Sequence, residues 1–286
     1  MKAPSQLCLR GRLVVIGKEP DGDSIRFVPD TPALLDDLVR GRRVDPSEDG
    51  SVQLRLEGID APETHYQEQA QPLADPARDR LLALCGFKRV RHDGQVVIAA
   101  TPTERPAAAL AHIVDANGRP VVLLLTRGRL PADGSYVAVD DALLGRTINA
   151  ALLADGSAYV TLYESAAPSL RRALRALAAE ARKAGLGVWD ADATSAFTLR
   201  GQASIGPEGA LILPKLFRRC TDYLRTRSSG ETLVHWLQTQ GDPPGSEDDE
   251  VMIGGRTLVR LSDLIEQRNT KIAFSADLLD LVFVEK

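Results

Sequence analysis

Short runs of alternating apolar and polar residues dominate the first half of the chain. Val52, Leu54 and Leu56 alternate with polar neighbours, which is the period of a strand with one buried face. Other runs repeat this period or are uniformly apolar, and an Asn-Gly turn at 116–118 joins the last two as a hairpin. The predicted strands cover residues 7–17, 23–29, 51–59, 88–100 (with a turn at 92–94), 107–115 and 119–125.

Helical periodicity takes over later in the chain. Residues 73–85, 141–154 and 168–184 place apolar side chains at helical spacing, and the last of these carries arginines on its remaining faces. Strands followed by helices in this order favour a small Greek-key barrel with helices packed on one side. We therefore predict a mainly β fold with α-helices (α+β), in which three helices pack on the barrel.

The same pattern predicts two domains. Residues 1–195 contain the barrel and its helices, interrupted by inserts near 30–50, where a short helix is expected, and near 126–140. Residues 199–286 mix helix-like and strand-like patterns and are interpreted as a small C-terminal α+β domain. Nothing in its pattern indicates a role for that domain.

Composition narrows the class of protein. Of the 286 residues, 44% are hydrophobic and 26% charged, which is typical of a globular chain. The net charge of −4 argues against binding nucleic acid through overall surface charge and leaves a local basic groove open. The three cysteines are too scattered for a disulfide framework or a metal knuckle. No signal peptide or membrane span is evident, so we expect a cytoplasmic protein.

Candidate chemistry lies at the ends of two predicted strands. Four carboxylates stand there, namely Asp21, Asp23, Asp60 and Glu63, and Arg55 lies on the second strand. Adjacent strands would bring them to one end of a sheet, where like charges need a cation. Because only oxygen ligands are present, calcium or magnesium is favoured over zinc. Arg55 is well shaped to grip a phosphate beside such an ion through two parallel hydrogen bonds.

These segments resemble a known family. The D-G-D-S-I stretch at 21–25 and the R-L-E-G-I-D-A-P-E-T stretch at 55–64 are similar to motifs of the staphylococcal nuclease (thermonuclease) family. The stretches at 148–158 and 187–189 resemble its N-x-x-L-L-x-x-G-x-A and G-x-W segments. The resemblance covers roughly residues 8–192. It implies an oligonucleotide-binding (OB) type of barrel.

The resemblance also implies a metal site. Asp23 and Asp60 correspond to the family's metal-binding carboxylates, and Asp21 corresponds to a nearby third aspartate that is a ligand or lies just behind one. The backbone carbonyl of Ala61 stands where the family uses a further ligand. The implied ion is Ca²⁺, with Mg²⁺ or Mn²⁺ as alternatives.

The catalytic roles follow the same correspondence, with one departure. Glu63 corresponds to the carboxylate that aligns or deprotonates the attacking water, and Arg55 corresponds to one of two phosphate-clamping arginines. The position of the second arginine falls on Ala108. Arg105, three residues earlier, is the candidate replacement and is weighed against an ordinary surface charge. Losing one such charge can slow a reaction by roughly a hundredfold or more.

Together these residues predict a metal-dependent hydrolase, an endonuclease-like phosphodiesterase acting on DNA or RNA with little sequence preference. The alternative is a weakened nuclease-like module that binds nucleic acid, or a protein partner through the C-terminal domain, without cutting. Ala108, the inserts and the added domain favour that alternative. Each acidic motif alone is more often a local turn than a catalytic site.

Two basic clusters are further candidates for binding nucleic acid. Arg42 and Arg43 in the first insert are interpreted either as phosphate-backbone contacts or as part of a solvated loop. The second cluster lies near a predicted helix at 216–224 and consists of Arg218, Arg219, Arg225, Arg227 and Tyr223. It is either a nucleic-acid surface on which the ring stacks or the solvated face of a helix.

Overall fold

The computed structural model describes residues 5–40, 44–241 and 243–285. Its strands are β1 Ser5–Val14, β2 Ser24–Pro29, β3 Val39–Arg40, β4 Val52–Leu56, β5 Ile59–Asp60, β6 Lys88–Asp93, β7 Val96–Thr101, β8 Glu104–Val114, β9 Pro120–Leu125, β10 Tyr136–Ala138, β11 Tyr159–Val160, β12 Leu162–Tyr163, β13 Ala196–Thr198, β14 Glu250–Ile253, β15 Thr257–Arg260, β16 Ile265–Arg268, β17 Lys271–Phe274 and β18 Leu281–Phe283. Its α-helices are α1 Ala74–Cys85, α2 Asp141–Leu144, α3 Ile148–Ala154, α4 Pro168–Lys183, α5 Val188–Ala191, α6 Pro214–Thr226 and α7 Leu233–Thr239.

Five strands close into a barrel in the order β1-β2-β4-β9-β8, with β8 returning to β1. Neighbours are antiparallel except β4 and β9, which run parallel. The interior is filled by alternate side chains, and Leu13, Ile25, Leu54 and Leu124 are fully buried. The predicted OB-type barrel within a mixed α and β fold is therefore confirmed.

Helices pack against the barrel as the periodicity predicts, with one exception. Helices α1 and α4 match the predictions for 73–85 and 168–184 within one residue at each end. The predicted continuous helix at 141–154 is wrong, because it breaks into α2 and α3. The hydroxyl of Thr147 accepts a hydrogen bond from the Ala150 amide at 3.1 Å and so caps the start of α3.

This break places Asn149 in the first turn of α3, where it is fully buried. Its amide nitrogen donates to the carbonyl oxygens of Glu57 and Val122, each at 2.9 Å. Its side-chain oxygen accepts from the Leu124 amide at 3.0 Å. One side chain therefore joins the end of β4 to β9 and fixes the chain that leads into β5.

Both predicted inserts carry some regular structure. A short 3₁₀ helix, Pro32–Asp37, and strand β3 occupy the first, where a short helix was expected. In the second, β10 pairs with the start of β1. Residues 41–43 lie outside the described residues.

The C-terminal segment builds a second buried core around α6 and α7. Its strands form one sheet in the order β12-β18-β14-β15 and another in the order β13-β17-β16. Because β12 precedes the C-terminal segment in the chain and pairs in parallel with β18, the two parts share a sheet. The second core likewise includes Tyr159 and Val188. The domain boundary near 195–199 stays a prediction.

Within the described residues, no helix has both the length and the apolar character needed to cross a bilayer.

Candidate functional site

A cavity of about 470 Å³ lies where the ends of β2 and β4 face helix α6. Residues from both parts of the chain line it. The barrel side contributes Asp21, Asp23, Arg55, Asp60 and Glu63, and helix α6 contributes Lys215, Arg218 and Arg219. The acidic motifs therefore meet in one place, opposite a basic helix face.

Strand register brings the two acidic segments together. Strands β2 and β4 are antiparallel, and Ser24 is the backbone partner of Arg55. The Leu56 amide donates to the Asp23 carbonyl at 2.9 Å, which extends the ladder to the aspartate itself. The start of β2 and the end of β4 consequently lie at the same edge, so Asp23 and Arg55 share the cavity.

Close backbone packing fixes the turn that carries Asp21 and Asp23. A Cβ added at Gly22 would lie 2.5 Å from the Ala61 Cβ and 3.0 Å from the Ala77 Cβ. Only a glycine therefore allows this turn to approach Ala61, which is itself buried. The Asp-Gly-Asp spacing thus serves packing as well as chemistry.

The Glu63 segment is held by a buried glutamine. The Glu63 amide donates to the Gln71 side-chain oxygen at 3.2 Å, and the Gln71 amide donates to the Glu63 carbonyl at 2.9 Å. The Gln71 side-chain nitrogen then donates to the Ile212 carbonyl at 2.7 Å, just before α6. This path ties the acidic loop to the C-terminal segment.

Arg218 occupies the centre of the acidic group. Its two terminal nitrogens donate to the two oxygens of Asp60 at 3.1 and 3.0 Å, and one of them also contacts Glu63. Asp60 is 1% exposed, whereas the Arg218 side chain is 22% exposed. This is a nearly buried, two-pronged ion pair between a barrel residue and a residue 158 positions later in the chain.

The carboxylates carry more negative charge than their neighbours neutralise. Burial and the nearby Asp23 and Glu63 raise the pKa of Asp21, and burial and Asp60 raise the pKa of Asp23. Burial raises the pKa of Glu63 to about 7, although Arg218 acts to lower it. Burial also acts to raise the pKa of Asp60, but Arg218 outweighs it and holds that pKa low. Asp21, Asp23 and Glu63 therefore hold a proton more readily than they would in water.

Tyr163 also lines the cavity, and two cations lie close to its ring. The Arg55 guanidinium and the Lys215 ammonium each lie 5.4 Å from the ring centroid. Lys215 also donates to the phenol oxygen at 3.3 Å. Burial acts to raise the pKa of Tyr163, but Arg55 and Lys215 outweigh it and lower that pKa. This wall is shaped for an anion.

Part of the barrel side of this site lies in a region that matches a known protein family. Residues 53–191 match the sequence model of the family described as staphylococcal nuclease homologue. This part of the chain is similar to staphylococcal nuclease homologues. A search of curated proteins gave no match. The matched region begins in β4 and ends with α5, so Asp21 and Asp23 precede it and α6 follows it.

One expected residue of this nuclease-like domain lies elsewhere. Arg105 does not line the cavity; its Nε donates to the Cys85 carbonyl at 3.3 Å, at the end of α1. Of the two interpretations of Arg105, this placement favours an ordinary surface charge over a replacement for the second arginine. Ala108 is fully buried on β8, between Arg10 of β1 and Leu125 of β9, because the barrel wall packs tightly there. Arg42 and Arg43 lie outside the described residues.

Arg218 and Arg219 of α6 do not belong to a solvated face, whereas Arg225 is exposed. Arg219 donates to Asp249 at 3.0 Å and also contacts Glu247. Tyr223 is 1% exposed and donates to the Glu231 carbonyl at 2.6 Å, so its ring is not available for stacking. Arg218 was the site residue that sequence patterns left undecided, since no local signal distinguishes it from its neighbours.

The donor atoms of the nuclease-like site are of the kind that suits the implied metal ion, but their present arrangement does not suit it. The donors are carboxylate oxygens with an excess of negative charge, which suits a hard divalent cation. Among the described residues, however, no group of three or more His, Cys, Asp or Glu is arranged to hold a metal ion. Both oxygens of Asp60 are bonded to Arg218 instead. Asp60 would have to exchange this guanidinium for the ion.

Proposed function

We propose that the protein is a metal-dependent phosphodiesterase that hydrolyses DNA or RNA with little sequence preference. The observation that carries this proposal is the meeting of Asp21, Asp23, Asp60 and Glu63 with Arg55 in one cavity. The staphylococcal nuclease homologue match supports a nuclease-like hydrolase at the level of the family. A phosphodiester is an anion, and its hydrolysis requires neutralising charge that builds on the phosphoryl oxygens.

Asp23 and Asp60 are the residues proposed to hold the cation, together with the Ala61 carbonyl and with Asp21 as a ligand or support. Calcium is the proposed ion, with magnesium or manganese as alternatives. When bound, such an ion would polarise the phosphoryl group and lower the pKa of a bound water.

Glu63 is the proposed base. Burial raises its pKa to about 7, which is close to the pH at which a general base works best. In this role it takes a proton from the attacking water. Arg55, which lies between Tyr163 and the carboxylates, binds a phosphoryl oxygen and stabilises the charge on it.

The test is cleavage of labelled single-stranded DNA and RNA by purified protein, in calcium and in a chelator. We expect calcium-dependent cleavage, and we expect Glu63→Gln to slow it by about a hundredfold or more. Glu208→Gln is the matched control, because Glu208 is exposed and lies outside the cavity. Absence of metal-dependent cleavage by the unaltered protein across a broad pH range would rule the proposal out.

A second candidate function is a nuclease-like module that binds nucleic acid without cutting it. The engagement of Asp60 and Glu63 by Arg218 favours this candidate, since it occupies a proposed ligand and the proposed base. Tight oligonucleotide binding with no turnover would support it. Robust cleavage that disappears in Glu63→Gln would exclude it.

A further inference from the structure

We propose that helix α6 supplies the second half of a phosphate-binding seat, in which Lys215 and Arg218 act together with Arg55. This inference rests on the function proposed above, and it names the chemical group that the cavity binds as a phosphate of a nucleotide unit. It also gives the C-terminal segment a direct part in the site.

The first observation is the placement of the two cations on one face of α6. Lys215 and Arg218 are three residues apart, so they lie one above the other on the helix surface. Both line the cavity. The opposite face is buried in the second core through Leu216, Phe217 and Cys220, which fixes the rotation of the helix.

The second observation is that cations converge on the same wall of the cavity. Arg55 and Lys215 each lie 5.4 Å from the centroid of the Tyr163 ring, and Arg218 lines the same cavity. Cations that lie side by side on one wall offer several charge-assisted hydrogen bonds to a single phosphate. Lys215 has one ion pair within the described chain, with Asp249 at 3.4 Å.

The third observation is the donor capacity of Arg218. A guanidinium has five N–H groups in a planar fork, and the three contacts with Asp60 and Glu63 use three of them. The remaining donors and the partly exposed side chain allow contact with a phosphate while Arg218 is paired with Asp60, and exchange of Asp60 for a cation would free two further donors for the phosphate. Arginine suits this task because its fork matches the oxygens of a phosphate.

The fourth observation is that the expected position on the barrel has no cation. Ala108 is fully buried on β8, and Arg105 bonds to Cys85 away from the cavity. In the proposed seat, the positive charge on the second side of the phosphate therefore comes from another element. The C-terminal segment is rigidly placed to provide it, through the β12–β18 pairing and the 2.7 Å bond from Tyr66 to Asp222 on α6.

The test is calorimetric binding of a nucleoside 5′-monophosphate, a nucleoside 3′-monophosphate and the unphosphorylated nucleoside. These ligands contain no phosphodiester, so binding is measured apart from turnover, and each titration is run with calcium and with a chelator. We expect a monophosphate to bind more tightly than the nucleoside. Arg218→Ala and Lys215→Ala should each weaken that binding by roughly tenfold or more, since each removes a charge-assisted hydrogen bond.

Three further variants separate a phosphate contact from a structural role. Arg225→Ala is the matched control, because Arg225 is on the same helix but does not line the cavity. Arg218→Lys should recover part of the affinity. The double variant Arg218→Ala with Asp60→Asn removes the cation and its buried partner together. It should stay weak if Arg218 contacts phosphate, and it should return to normal affinity if Arg218 only masks Asp60.

The outcomes separate this inference from the proposed function. Unchanged or tighter monophosphate binding in Arg218→Ala would contradict the proposed phosphate-binding seat, and so would restored binding in the double variant. Binding of the monophosphate no better than the nucleoside by the unaltered protein also overturns it. Arg218-dependent binding without any cleavage would support the phosphate-binding seat and contradict the proposed phosphodiesterase function.

Discussion

Glu57 is a buried carboxyl group in the lining of the cavity. It is 2% exposed, and one of its carboxylate oxygens has no hydrogen-bond partner among the described residues. Burial raises its pKa to about 7, with a smaller contribution from Glu285, although Arg55 acts to lower it. A buried carboxyl of this kind prefers to stay protonated.

Replacing Glu57 by glutamine should remove part of the pH dependence of stability. Because its pKa is about 7 in the folded chain and 4.5 in the unfolded chain, its ionisation lowers the free energy of unfolding as pH rises from about 4.5 to about 7. Glu57→Gln should therefore be about 3 kcal/mol more stabilising at pH 8 than at pH 4. Urea denaturation at both pH values, in a chelator, measures this. Equal effects at the two pH values, as expected for the exposed control Glu208→Gln, would contradict it.

Packing of one turn against another segment decides whether the acidic groups meet at all. The turn before β2 and the chain after β5 touch at Gly22 and Ala61, with helix α1 behind them at Ala77. The site is therefore assembled by three elements that leave no room for an extra carbon atom.

Gly22→Ala should disturb both stability and the site. The added Cβ would lie 2.5 Å from the Ala61 Cβ, so the two segments must separate. We expect a loss of about 1–3 kcal/mol in the free energy of unfolding. Nucleotide affinity should fall with it, because the acidic segments then separate. Gly201→Ala is the control, since nothing lies within 4 Å of its Cβ. A fully stable Gly22→Ala with unchanged ligand binding would show that the contact is not needed.

The elements also show what local patterns can predict. Alternation predicted the barrel strands, because each has one face in the core, and helical spacing predicted α1 and α4. The break between α2 and α3 was not predicted, because it depends on the Thr147 cap of α3 and on the bonds from Asn149 to Glu57 and Val122 rather than on periodicity. A capping residue inside an apolar stretch gives only a weak signal from sequence.

The molecule as a whole brings two distant parts of the chain to one cavity. Sequence motifs predicted the meeting of Asp21, Asp23, Asp60 and Glu63 with Arg55, because all lie at the ends of neighbouring strands. They did not predict Arg218, because its position depends on how α6 packs on the barrel. Ala108 alone indicated that a charge was missing there, and the proposed replacement, Arg218, is apparent only from the three-dimensional arrangement.

The central claim is that a cation and Arg55 together stabilise the charge of a phosphodiester under attack. The most direct test compares initial rates of oligonucleotide cleavage by the unaltered protein and by Arg55→Ala, each with saturating calcium and with a chelator. We predict a rate about a hundredfold lower for Arg55→Ala, and no cleavage by either protein in the chelator. Equal rates for the two proteins, or cleavage that persists in the chelator, would contradict the account.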